Sequence, residues 1–189
     1  GDYIQIDYYI EAQDIAKSGW EYTNPNSFVT LSFWIKASVA TAYPVTLRTS
    51  DGTSQAFNIS TGNLTANTWT KVIRTIPGNS NLTFNNDNGR GIRMMFFPYI
   101  GTTYTTSGLT LNTWSAWSDP KHSFELATTW WETNDATWEE GKPSLSISRP
   151  EESVAPWSYY RGNSPWAYSH YSRACSRSEE RSGSYDHIG

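Results

Sequence analysis

Residues 28–38 read Phe-Val-Thr-Leu-Ser-Phe-Trp-Ile-Lys-Ala-Ser, and Val29, Leu31, Phe33, Ile35 and Ala37 alternate strictly with Thr30, Ser32, Trp34 and Lys36. A period of two sends successive side chains to opposite faces, the pattern of a half-buried strand. The odd positions supply a core row. Trp34 is left with Thr, Ser and Lys on the other face, where an all-β domain meets solvent or a second subunit.

The same alternation recurs in short runs bounded by turn residues, as in a sandwich or jelly roll. Tyr3 to Ile10 opens the series, followed by Tyr43 to Thr49, Gln55 to Ser60 and Trp69 to Ile76, the last closing on Pro77-Gly78. Asn86-Asp87-Asn88-Gly89 is a further turn. Gly91 to Ile100 is apolar on both faces and is expected at the centre of a sheet, and Ser123 to Trp131 repeats the strand pattern. Glu11 to Ser18 suits one helical turn or a loop. Leu64-Thr65-Ala66-Asn67-Thr68-Trp69 is echoed by Leu109-Thr110-Leu111-Asn112-Thr113-Trp114, read as a polar turn feeding a Trp at the start of a strand.

A chain of 189 residues is about one domain, or one domain with an appendage, at roughly 150 residues each. The net charge of −4 offers no basic surface to neutralise a phosphate backbone, so nucleic acid is not expected as a partner. No stretch approaches the roughly 18 apolar residues of a membrane span, and Gly1-Asp2-Tyr3-Ile4 does not open a signal sequence; no membrane insertion is expected. The single Cys175 excludes an internal disulfide and a multi-cysteine zinc site.

Catalytic signatures are absent from the sequence. His122, His170 and His187 are far apart, and neither a Gly-x-Ser-x-Gly elbow nor a phosphate-binding Gly-x-x-x-x-Gly-Lys loop occurs. The acidic pairs Glu139-Glu140, Glu151-Glu152 and Glu179-Glu180 read as surface charge, since neighbours on a strand face opposite ways. A non-enzymatic protein without a cofactor is expected. Calcium is the one ion the residues suggest, through Asp7, Glu11 and Asp14, and an ordinary acidic loop is the preferred reading of the three.

Aromatic residues make up 15% of the chain against 17% charged, with ten Trp and twelve Tyr, a balance that suits a protein presenting rings to ligands. Trp114 and Trp117 lie in a polar connection beside Asp119, and in the adjacent Trp130 and Trp131 one ring must face away from a core. With Tyr104 these form the candidate glycan platform. Sugar C–H faces lie on such rings, each contact adding roughly 0.5–1.5 kcal/mol beyond area burial. The alternative is that one ring of each pair is core and the other packs at an interface.

Four segments together resemble a known family. They are Ile10-Glu11-Ala12-Gln13-Asp14-Ile15, then Val29 to Ala37, then Trp69-Thr70-Lys71 running to Thr75-Ile76-Pro77-Gly78, then Asn134-Asp135-Ala136-Thr137-Trp138. Across residues 4–138 the chain resembles the carbohydrate-binding-module-like jelly-roll domain of tail fibre and receptor-binding proteins of tailed bacteriophages. The resemblance implies a β-sandwich on the virion surface, made in the cytoplasm of a bacterial host. It implies a homotrimer, contacts with other virion proteins, and recognition of host surface polysaccharide or lipopolysaccharide. It leaves two other roles open: a fibre or capsid decoration protein whose rings bury between subunits, and the sugar-binding module of a bacterial glycoside hydrolase. Trp34, mid-strand, is expected to pack between sheets or subunits rather than on sugar.

After Trp138 the family pattern is lost, and the chain continues Glu139-Glu140-Gly141-Lys142-Pro143-Ser144-Leu145. Serine becomes dense and aliphatic residues dwindle to Leu145, Ile147, Val154 and Ile188. A jelly-roll domain over 1–140 is therefore expected, followed by a Ser- and aromatic-rich extension over 141–189 that is poorly structured or docks on a neighbouring subunit.

Overall fold

A computed structural model describes residues 2–119, 123–126 and 130–148, with the backbone alone for Trp131 and Ser148. The alternating runs become strands: β1 (Tyr3–Glu11), β2 (Phe28–Ala37), β3 (Ala42–Thr49), β4 (Gln55–Asn63), β5 (Thr70–Pro77) and β6 (Arg90–Ile100). Three shorter strands follow: β7 (Trp114–Ala116), β8 (Trp138–Glu140) and β9 (Ser144–Ser148). One short helix, α1 (Ala12–Ala16), sits where a helical turn or loop is expected.

Two antiparallel sheets result. The larger runs β1-β6-β3-β4-β7, and the smaller runs β5-β2-β8 with β9 also paired to β2. The chain passes repeatedly from one sheet to the other, giving the all-β sandwich expected of the sequence. In β2, Val29, Leu31, Phe33, Ile35 and Ala37 are all buried. They meet Val45, Leu47, Met94 and Phe96 of the larger sheet in one core. Phe33 and Phe96 pack edge to face, centroids 4.9 Å apart.

β6 is central and flanked by β1 and β3. Its even positions join the main core. Its odd positions Met95 and Phe97 start a second apolar cluster with Ile100 on the outer face of the larger sheet, covered by Tyr104, Trp117 and Leu126. This explains why both faces of the run are apolar.

Two expectations change. Ser123 to Trp131 does not form a strand within its described residues: Ser123 makes an isolated bridge to Thr105, and residues 130–132 form a 3₁₀ turn. Leu126 and Trp130 are used as apolar cover on the clusters rather than as sheet members. Pairing also continues beyond residue 140, because β9 joins β2. β8 aligns Ile35 with Glu140 and β9 aligns Ser32 with Ser144, so the two act as one edge strand interrupted by a one-residue slip at Gly141–Pro143. The backbone N–H of Gly141 still donates to the Trp34 carbonyl at 2.8 Å. Within this edge the serines alternate with Leu145 and Ile147, a strand pattern disguised by serine-rich composition. The expected extension from Arg149 onward lies outside the described residues.

Candidate functional site

Strand parity decides where each candidate ring goes. Trp114 opens β7 opposite Phe57 and faces inward. It is buried, lies 5.1 Å from the Phe57 ring, and its indole N–H donates to the Pro77 carbonyl at 2.7 Å. Trp114 is thus a core residue that ties β7 to the end of β5, and only its rim reaches solvent. That rim lines a shallow polar groove of about 450 Å³ with Gln55, Ser80, Asn81 and Ser115.

Trp117 leaves β7 on the outer side and packs on the second cluster, with the Arg48 guanidinium 4.2 Å from its ring centroid. Tyr104 covers the same cluster and meets Tyr3 edge to face at 5.0 Å. Trp130 packs against the main core, its indole N–H donating to the Thr137 carbonyl at 3.1 Å. The side chain of Trp131 is outside the described residues. The four described candidates do not converge on one platform: Trp114 and Trp130 serve the main core, and Trp117 and Tyr104 serve the second cluster.

The half-exposed tryptophans are others. Trp34 is 49% and Trp69 46% exposed, both on the outer face of the smaller sheet. Trp34 does not pack between the sheets, because its odd-numbered neighbours take that face. It pairs with Lys71, and one step along, Ser32 pairs with Ile73, which is 51% exposed. Trp69 precedes β5 beside Lys36, whose Nζ is 5.4 Å from the Trp69 ring centroid and 2.6 Å from Glu139 Oε1. On the far side of Trp34 comes Gly141, whose missing side chain leaves that flank of the ring uncovered. Further along, Thr30 and Ser32 align with Ser146 and Ser144. The result is an exposed strand face with two rings on a diagonal, one aliphatic side chain, two lysines, a glutamate and a double row of hydroxyls.

The turn motif explains Trp69. Asn67 and Asn112 both take left-handed backbone angles, φ 57° and 59°, two residues before their tryptophans. Asn tolerates this conformation better than most residues. Both repeats thus make the expected turn, but Trp69 emerges on the solvent side and Trp114 in the core.

Two of the three carboxylates suggested for calcium, Asp7 and Glu11, are engaged by neighbouring side chains. Asp7 Oδ2 accepts from Arg93 at 2.7 Å, and Glu11 accepts from Gln13 at 2.6 Å. Among the described residues no three His, Cys, Asp or Glu side chains gather to hold an ion, and no helix is long and apolar enough to cross a membrane. Comparison with family models, curated proteins and solved structures finds no match.

Proposed function

We propose that this protein is a non-enzymatic glycan-recognition module of a virion fibre or receptor-binding protein, acting through the outer face of the smaller sheet. The observation that carries the reading is the pair of half-exposed indoles, Trp34 and Trp69, on a strand face also bearing Lys71, Ser32, Ser144 and Ser146. Rings supply the surface for sugar C–H groups, and hydroxyls and ammonium groups supply directional hydrogen bonds. An open strand face suits an extended chain of sugars better than a single buried one. The family resemblance of residues 4–138 supports host surface polysaccharide or lipopolysaccharide as the ligand, and a homotrimer as the form that gains by multivalency.

Ile73 favours a second reading. An aliphatic side chain 51% exposed beside Trp34 is what a subunit interface would bury, as in a decoration protein. A glycan array probed with wild-type protein and with Trp34→Ala and Trp69→Ala separates the two, with mass measured by sedimentation. Under glycan recognition, array binding falls at least tenfold and the mass is unchanged. Dissociation of the assembly by the same variants, with no glycan bound by the wild type, favours the interface.

A further inference from the structure

The turn between β3 and β4, the segment between β5 and β6, and β7 meet around the polar groove that the rim of Trp114 lines. Its volume of about 450 Å³ lies within the roughly 300–1,000 Å³ of small-ligand clefts. Such clefts are mostly apolar, with a few polar groups that fix orientation. This one reverses the proportion: Thr53, Gln55, Ser80, Asn81, Thr83 and Ser115 surround a single aromatic ring, and no charged side chain lines it.

The walls are fixed by contacts that leave the lining free. Asp51 accepts from the Asn85 backbone N–H at 2.9 Å and from the Asn85 side-chain amide at 3.0 Å, tying the β3–β4 turn to the segment before β6. Beside it Gly52 takes φ 59°, and a Cβ there would lie 3.0 Å from the Thr83 Cβ and Oγ1, so the two walls close on each other. Leu82 and Phe84 are buried and anchor the exposed Thr83 between them, while the Pro77 carbonyl holds the Trp114 indole. Gln55 commits its amide N–H groups to the Thr53 and Ser54 carbonyls, at 3.1 and 3.4 Å, and its Oε1 meets no donor among the described residues. The side chains of Ser80, Asn81, Thr83 and Ser115 likewise make no hydrogen bond among the described residues.

We infer that this groove is a second ligand site, taking one neutral sugar unit. Serine and threonine hydroxyls and the Asn81 carboxamide both donate and accept, as sugar hydroxyls do, and the indole rim offers an apolar strip for sugar C–H groups. An acidic sugar would lose water from its carboxylate here and find no cation in return. Walls already tied together spare the ligand the cost of ordering them. The sugar as occupant rests on the glycan-recognition reading; the groove itself shares no residue with the Trp34 face.

The test titrates the full chain with the methyl glycosides of glucose, galactose, mannose, rhamnose, N-acetylglucosamine and glucuronic acid, following the Asn81 side-chain amide and Trp114 indole resonances by NMR. At least one neutral glycoside is expected to shift both resonances, and the glucuronide to bind at least tenfold more weakly than it. The double variant Asn81→Ala with Thr83→Val should weaken that binding at least tenfold, and Trp34→Ala should leave it unchanged. Both lining positions are exposed, so the double variant is expected to fold, which circular dichroism checks. Silence of both resonances towards every neutral glycoside, or binding undiminished in the folded double variant, overturns the site. A glucuronide that binds as tightly as the best neutral glycoside overturns the neutral class. Array binding lost in Trp34→Ala with a silent groove overturns this inference alone, whereas groove binding with array signals that survive Trp34→Ala and Trp69→Ala overturns only the placing of glycan on the strand face.

Discussion

Glu140 pairs with Ile35, an inward position, and so projects from β8 into the sandwich, where Trp138 Nε1 donates to its Oε2 at 2.9 Å. Burial raises its pKa, with the hydrogen bonds from Trp138 and Tyr8 working the other way. A raised carboxyl means the folded state holds its proton more tightly than the unfolded chain. Its stabilising contribution is complete below the unfolded pKa and is lost as pH rises through the folded one. Glu140→Gln should therefore be more stable than wild type near neutral pH and converge with it in acid, read from urea midpoints between pH 4 and 7. Tyr43 follows the same rule at the alkaline end: burial pushes its hydroxyl, which donates to the Val39 carbonyl at 2.9 Å, up to about 12. Stability is accordingly expected to fall as pH climbs from 10 towards 12. The tryptophans give a sharper contrast. Trp114→Ala should cost about 3–5 kcal/mol, the usual range for emptying a buried ring site. Trp34→Ala should cost about 0.5 kcal/mol or less by urea denaturation, as an exposed site does.

At the scale of elements, the long alternating runs that became β1 to β6 were legible as strands. β2 is the clearest case, because its row of Val29 to Ala37 faces one continuous core. β9 was hidden by composition: Leu145 packs on the core opposite Leu31, Ile147 shares its side of the strand but is 40% exposed, and serine fills the alternate places. The alternation from Ser123 to Trp131 misleads in the opposite direction, since among its described residues Leu126 and Trp130 pack on the apolar clusters without pairing in a sheet. Side-chain exposure was the least legible quantity. Trp114 and Trp69 follow nearly identical residues, and only the register of the next strand separates them. Turn geometry yields a firm prediction at Gly78, where a Cβ would lie 2.3 Å from the Asn24 carbonyl oxygen and 2.6 Å from that of Tyr22. Gly78→Ala should destabilise the protein by about 2–3 kcal/mol, the upper range for overpacking, because backbone rather than a mobile side chain is in the way. A melting curve compared with wild type checks it.

For the whole molecule, the two sheets turn their outer faces in opposite directions, so a short ligand on the Trp34 face meets the smaller sheet alone. Binding through the Trp34 face of a single copy is expected to be weak. A trimer presenting three equivalent faces to a polysaccharide-coated surface should bind about 10²-fold or more tightly than the monomer, without any new contact. Surface plasmon resonance on immobilised polysaccharide, at matched protomer concentration, measures the difference; equal affinities would remove multivalency from the account. The Asn67 and Asn112 turns add something of another kind. Each brings a tryptophan to the mouth of a strand and leaves the choice of environment to whatever pairing follows, so the turn behaves as a transferable part whose output is set by its socket. Exchanging residues 64–68 with 109–113 should leave both turns formed and both indoles where they are, which makes this short segment a natural place to splice such domains.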